Sequence, residues 1–499
     1  MNRRDFVSGA GIALSPLLLP ERVLADPYAP LALPVSASAP VRIRGQVRGN
    51  TGTKTVPLAG VRVSDGLAVV HTDAAGRFTL ISDGRRPFVS VSTPAGWQPA
   101  RNPSGTARFY QPIDPARAEQ DVTFTLVPRV GDQRHTLMVL ADPQTQSREE
   151  TAMLHAQTVP DVVAAASAEG DRAIAGVVCG DIMFDDLTLY PEWERAVQRM
   201  GMPFYQVIGN HDLDVTARVT EDASATFGRH FGPTHYSFDL GSVHYVVINN
   251  VFYHGAGYLG YVDATQLAWL AADLASVERG APVVVFLHIP ALSTIDQRST
   301  NATRPGSGNS TMNREALYRL LEPYRGYLIS GHMHEMEHVE EGGPTHVVAG
   351  AVCGAWWSGP ICYDGTPNGY LVLRGDDAQL RWHYQATGQP ASHQLRGYRR
   401  GSDPTAPDDI VANVWGWDRR WEVTWVEDGT PRGRMSRRRG RDPLSVSLHE
   451  GPAMPTRRPW VDPVPTTHLF YATPTAGARE IVIEARDPHG TVYRTTVTA

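Results

Sequence analysis

The spacing of apolar and polar positions changes character three times along the chain. From 41 to 128, short alternating segments at 41–47, 61–64, 78–81, 88–92 and 122–126 are separated by Gly- and Pro-rich turns, which predicts a small β-sandwich. From 133 to 390, apolar runs at 136–141, 173–179, 203–208, 243–249, 282–288 and 326–330 alternate with helical periodicity at 148–168, 192–199, 264–276 and 314–322. Strand and helix in alternation predict a layered α/β core whose helices cover the faces and leave one end of the sheet free. From 391 to 499, β-type segments return at 410–415, 421–426, 468–472, 481–485 and 491–497, predicting a third, mostly β domain.

In the middle domain, metal-type donors collect where the apolar runs stop. The run 136–141 is followed by Asp142-Pro143-Gln144, 173–179 by Gly180-Asp181, and 203–208 by Gly209-Asn210-His211-Asp212; the run from 282 ends in His288, and 326–330 leads into Gly331-His332-Met333-His334. One such residue is an ordinary turn or cap, but five coincidences in one domain point to a site beyond the carboxyl ends of the strands. Asp, Asn and His form a mixed oxygen and nitrogen set suited to Zn²⁺, Mn²⁺, Fe or Co.

Asp142-x-Gln144, Gly180-Asp181, Gly209-Asn210-His211-Asp212, His288 and Gly331-His332-x-His334 together resemble the ordered motif set of the calcineurin-like metallophosphoesterases. The likeness extends to a subgroup flanked by an N-terminal β-sandwich and a dedicated C-terminal domain. It implies a layered β-sheet sandwich covered by helices and two divalent metal ions. Asp142, Gln144 and His334 would hold one metal, Asn210, His288 and His332 the other, and Asp181 would bridge. His211 would be the proton donor and Asp212 its support. The implied reaction is hydrolysis of a phosphate monoester or diester by a hydroxide bridging two dications roughly 3.5–4 Å apart. Gln144 stands where the family pattern has His; an amide oxygen is the harder, weaker donor, which favours Mn²⁺ or Fe at that position or leaves Gln144 behind the ligands. Phe184 stands where purple acid phosphatases have Tyr, so no purple iron site is expected.

The remaining features add less. With 499 residues, 42% hydrophobic, 20% charged and a net charge of −6, the chain carries no signature of a nucleic-acid partner. Arg3-Arg4 ahead of the apolar run 7–19, with Val23-Leu24-Ala25 following, resembles a twin-arginine signal over 1–25 and predicts a periplasmic protein; 26–40 reads as a linker, and no later run is long enough to span a bilayer. The stretch 72–80 resembles the turn of transthyretin-like and carboxypeptidase-regulatory-like sandwiches, with Asp73 capping, Gly76 in an unusual φ and Phe78 in the core. Cys353 and Cys362 are placed for either a disulfide or two free thiols. His235 is a candidate substrate contact or a solvent-facing residue, and Trp356 and Trp357 are candidate substrate contacts or packing residues between the middle and C-terminal domains. Asp185 and Asp186 read as a helix start, or as hydrogen-bond partners of a ligand. The arginine-rich run 432–441 is a solvated loop or a grip on an anionic envelope lipid or glycan. A metal-bearing envelope-binding protein without hydrolytic activity is the competing reading, with Gln144 as its one argument.

Overall fold

A computed structural model describes residues 39–298 and 308–498; the expected signal segment 1–25 lies outside them. Val41–Asn50 is the spine of the N-terminal sandwich. Its alternating burial faces Val41, Ile43 and Val47 inward, and it pairs in parallel with Glu119–Pro128 and antiparallel with Arg77–Ser82. Arg62–Ser64, Val69–His71, Phe88–Val91 and Tyr110–Pro112 form the opposing sheet. The Asp73 carboxylate accepts from the amides of Ala75 and Arg77, Gly76 takes φ +73°, and Phe78 is buried.

The middle domain is two facing sheets. One runs Phe204–Gln206, Ala173–Val178, Arg134–Leu140, Gly369–Asp376, Gln379–Ala386, with the first three strands parallel. The other runs Tyr236–Leu240, Val243–Val247, Pro282–Phe286, Arg325–Ser330, Thr345–Val348, Glu337–Val339, with the four middle strands parallel. Buried residues alternate between the layers as a period of two requires. Leu137, Val139 and Val177 meet Tyr245, Val247 and Phe286 between the sheets. Met138, Leu140 and Val178 turn outward onto Trp193 and Val197 of the helix Tyr190–Met200. Val283 and Val285 turn outward onto Trp269 and Leu270 of the helix Ala264–Leu274. The strands Gly369–Asp376 and Gln379–Ala386, absent from the sequence reading, close the first sheet.

Two elements differ from expectation for local reasons. The helix over 148–168 is interrupted by a π turn, Leu154–Thr158, whose closing bond runs from the Val159 amide to the Leu154 carbonyl. Pro160 follows at once and has no N–H to donate to the regular ladder. The segment 203–208 forms only the three-residue edge strand Phe204–Gln206, because Gly209 already begins the loop.

The N-terminal sandwich and the two sheets share one continuous core. Thr106 bridges to Phe204 and Thr93 to Phe238, so the sandwich pairs with the outer strand of each sheet. Phe109 fills the joint, 4.3 Å from the Tyr236 ring and 5.8 Å from that of Tyr205.

The C-terminal domain is a second sandwich. Arg396–Tyr398, Ile410–Asn413, Pro465–Ala472 and Ser436–Arg441 face Thr430–Arg434, Glu422–Glu427, Glu480–Arg486 and Val492–Thr498. The arginine-rich run forms an exposed edge strand of each of these two sheets, and most of its charge is already paired: Arg432 with Glu427, Arg434 with Glu422, Arg438 with Asp409 and Arg441 with Glu450. That pairing removes most of the case for a grip on an anionic polymer. No helix among the described residues is long and apolar enough to cross a membrane.

Phe109→Ala should cost about 3–5 kcal/mol, since it opens a cavity in a shared core. Thermal unfolding is expected to show the N-terminal sandwich and the middle domain destabilised together; loss confined to one of them would refute the shared core.

Candidate metal centre

The strand-end residues meet at one end of the two sheets because their loops are short and unusually bent. Asp142, Gln144, Asp181, His332 and His334 all take positive φ, between +41° and +71°. Asp and His tolerate this region better than most residues, yet each such backbone costs roughly 1–3 kcal/mol and persists only where its surroundings hold it. Backbone bonds hold it here: the Asp142 amide donates to the Gly180 carbonyl at 3.3 Å, and the Gln144 amide to that of Asp181 at 2.9 Å. Glycine is required where the loops touch. A Cβ on Gly209 would collide with the Asp181 backbone and carboxylate, and one on Gly331 with the Asp142 carboxylate.

The protonation of each histidine follows from its outer partner. The Nδ1 of His288 lies 2.8 Å from the Cys179 carbonyl, which can only accept, so Nδ1 carries the proton and Nε2 presents a lone pair. The Nε2 of His332 meets the Gly308 carbonyl at 2.9 Å, leaving Nδ1 as the open nitrogen. The Nδ1 of His334 meets the Gly354 carbonyl at 2.6 Å, and its Nε2 faces Asp142 Oδ1 at 3.7 Å. Around His288 Nε2 stand Asp181 Oδ1 at 3.2 Å, Asn210 Oδ1 at 3.0 Å and His332 Nδ1 at 3.1 Å. Four acceptors thus converge with no donor between them. The ligand atoms of Asp181, His288 and His332 lie within 4.8 Å of one another.

Such a cluster needs positive charge, and without a cation protons must supply it. Burial opposes charging of His288, but Asp181 and Asp142 hold its pKa up at about 9. Burial pushes the Asp142 carboxyl up to about 8. A divalent cation answers the same demand, so the residues fit a metal pair: Asp181, Asn210, His288 and His332 on one side, and Asp142, His334 and Asp181 on the other. Gln144 is buried beside the second set, with Nε2 donating to Asp181 Oδ2 at 3.1 Å. A half turn of the amide exchanges its oxygen and nitrogen and would present Oε1 in that place.

Asp212 does not face His211. The turn Asn210–Asp212 directs its carboxylate back to the amides of Gly209, Ile182 and Met183 and to the Tyr190 hydroxyl, so it ties the two loops together. Asp185 takes the partner position instead, its Oδ1 2.7 Å from His211 Nδ1. The Phe184 ring packs edge-on against His211 at 4.4 Å, and the His211 amide donates to Asp181 Oδ1 at 2.9 Å. Asp186 caps the short turn Leu187–Leu189.

The other candidates divide. Trp356 stacks on His334 at 4.1 Å and borders the cluster. Trp357 is buried and donates to the Pro143 carbonyl at 2.9 Å, which makes it a packing residue. His235 lies at the N-terminal joint, 2.7 Å from the Gly66 carbonyl and edge-on to Trp269. All three cysteines are free and buried, so Cys353 and Cys362 form no disulfide. Cys353 instead lies 3.5 Å from His334 Nδ1. One positioning residue escaped the sequence reading. Asn250 Oδ1 accepts from the amides of His288 and Ile289, both at 3.2 Å, while its Nδ2 donates to Thr311 Oγ1 at 2.8 Å. It too follows an apolar run, which was the available signal.

Replacing the amide by imidazole should tighten the second metal subsite. Gln144→His is expected to retain metal through dialysis against chelator at about 10–100-fold higher chelator concentration than the parent, read by elemental analysis. Equal retention would place Gln144 behind the ligands.

Residues 136–336 match the family model for calcineurin-like phosphoesterase, 43–129 that for the N terminal of calcineurin-like phosphoesterase, and 346–493 that for the C terminal. Serine/threonine-protein phosphatase CPPED1 of Mus musculus is 29% identical over 173 residues, covering 32% of this chain and 52% of the relative. That of Homo sapiens is 33% identical over 106 residues, covering 21% of this chain and 33% of the relative. The chain therefore spans about half the length of the mouse protein and a third of the human one. Among solved structures, a dimetal phosphatase from Danio rerio aligns over 50% of this chain and 98% of its own, with 16% identity and a TM-score of 0.32. With the three family models following one another along nearly all of its described length, the chain belongs to the calcineurin-like phosphoesterases.

Proposed function

We propose that this chain is a periplasmic metal-dependent phosphoesterase that hydrolyses a phosphate monoester or diester, with His211 as proton donor to the leaving alkoxide. The observation that carries the proposal is the convergence of acceptor atoms around His288 Nε2, with a second histidine, His211, held at the rim by a carboxylate outside the metal set. When bound, two divalent cations would supply Lewis acidity toward the phosphoryl oxygens and lower the pKa of water. Gln144 in place of imidazole favours Mn²⁺ or Fe on its side.

The chain's own residues do the rest. Asp185 accepts the Nδ1 proton of His211 and so leaves Nε2 as the atom that releases one. Burial opposes the charged imidazolium, but Asp181 and the Asp185 hydrogen bond outweigh it and hold the pKa above the ordinary imidazole value. The Asp185 carboxylate, which lies outside the metal set, favours the acid form that a leaving alkoxide needs. Asp212 acts one step back by fixing the loops that carry Asp181 and Asn210.

Arg3-Arg4 and the apolar run behind them support export, and the envelope then offers phosphoesters on lipids or glycans as the substrate class. The mouse and human relatives are named serine/threonine-protein phosphatases, which supports phosphoester chemistry.

Purified protein should contain about two equivalents of divalent metal and turn over an aryl phosphate or a bis-aryl phosphate with added Mn²⁺, and chelation should abolish the turnover. Neither metal nor turnover under these conditions would refute the enzyme reading. His211→Ala should keep its metal and lose about 10²–10⁴-fold in kcat on alkyl esters, with a smaller loss on aryl esters whose leaving groups need no proton. Asp185→Asn should fall in the same direction, whereas Asp212→Asn should chiefly lower the melting temperature; the opposite pattern would return the supporting role to Asp212.

A further inference from the structure

The irregular segment between the C-terminal helix Pro443–His449 and the strand Pro465–Ala472 crosses to the middle domain and touches both sides of the metal centre. On one side Trp460 packs against Trp356 at 4.7 Å, and Trp356 stacks on His334. On the other side the Arg458 guanidinium lies over the Phe184 ring, 5.1 Å from its centroid, and His211 meets the same ring at 4.4 Å. Imidazole and guanidinium thus share one aromatic platform.

The two arginines of this segment compete for one carboxylate. Arg457 Nη1 and Arg458 Nη2 both reach the same Glu150 Oε1, at 2.8 and 3.1 Å, so two cations share one carboxylate. Arg458 Nη2 also meets Gln146 Oε1 at 3.0 Å, and among the described residues its buried Nε–H has no acceptor. Its backbone is held at φ +55°. An arginine held in strained backbone, sharing its carboxylate with a second arginine and packed on the same ring as the proton donor, suits an anionic ligand better than it suits domain docking alone.

Resting on the phosphoesterase reading above, we infer that Arg458 selects phosphate esters whose alcohol portion carries a negative charge. The oxygen protonated by His211 belongs to that alcohol, so the group bonded to it extends along Phe184 toward the guanidinium. The active site is then a composite of the middle and C-terminal domains, and Arg458 is a specificity residue supplied by the latter.

The test compares phenyl phosphate with 4-carboxyphenyl phosphate in the parent, Arg458→Ala and Arg458→Lys. Differences in intrinsic reactivity cancel, because the same pair is measured in each protein. The ratio of kcat/KM, carboxylated over plain, is expected to fall about tenfold in Arg458→Ala and to recover in part in Arg458→Lys. A misfolded or loosely docked variant would lower both rates and leave the ratio in place, so an unchanged ratio overturns the inference whatever the absolute loss. Calorimetric binding of the matching phosphonates, which cannot be hydrolysed, reads the same preference without turnover. Preference without turnover would overturn the hydrolytic reading alone, and no preference in the parent would overturn the role of Arg458.

Discussion

The architecture of the middle domain answers one electrostatic demand: a buried set of lone pairs with no proton to share. His332 Nδ1, Asp181 Oδ1 and Asn210 Oδ1 all stand within hydrogen-bonding distance of His288 Nε2, yet the outer partners of both histidines commit their protons elsewhere. Such a cluster is unfavourable by itself, because buried acceptors gain nothing from one another. It holds together because rigid strands, left-handed backbones and close-packed glycine loops leave the side chains nowhere to go. The free energy spent on this strain is recovered when cations occupy the centre, which couples metal binding to the stability of the loops.

That demand explains how much of the site could be read from the sequence. Each candidate ligand sits at or just past the end of an apolar run, and the runs were legible because both sheets are buried on two faces. Reasoning from adjacency failed where chain direction reverses within a residue or two. Asp212 follows His211 in sequence, but the tight turn Asn210–Asp212 sends its carboxylate back to the Gly209 amide. Asp185 precedes His211 by a long stretch of chain, and only its left-handed backbone, φ +64°, brings the two side chains together. The contacts of Arg458 and Trp460 were beyond reach for a different reason. They join an irregular loop to residues hundreds of positions earlier, and no periodicity encodes such a pairing.

The flanking domains differ in how they join the middle one. The N-terminal sandwich merges with it through apolar surface, and Phe109, Tyr205 and Tyr236 have no meaning as members of separate cores. The C-terminal sandwich has its own core and meets the middle domain partly through polar contacts, as Arg298 to the Pro465 carbonyl and Arg457 to Glu150. Polar joints tolerate change more readily than shared cores, which is consistent with selectivity being carried on that side.

Thr93 and Thr106 have a significance larger than their single bridges suggest. Each belongs to the N-terminal sandwich, and each meets the terminal strand of one of the two central sheets. A middle domain released from the sandwich would present two unpaired strand edges on the same flank, flanked by bare aromatic rings, a ready template for self-association. The sandwich thus acts as a permanent edge guard. In this chain the middle domain is therefore no freestanding module but one folding piece with its first domain.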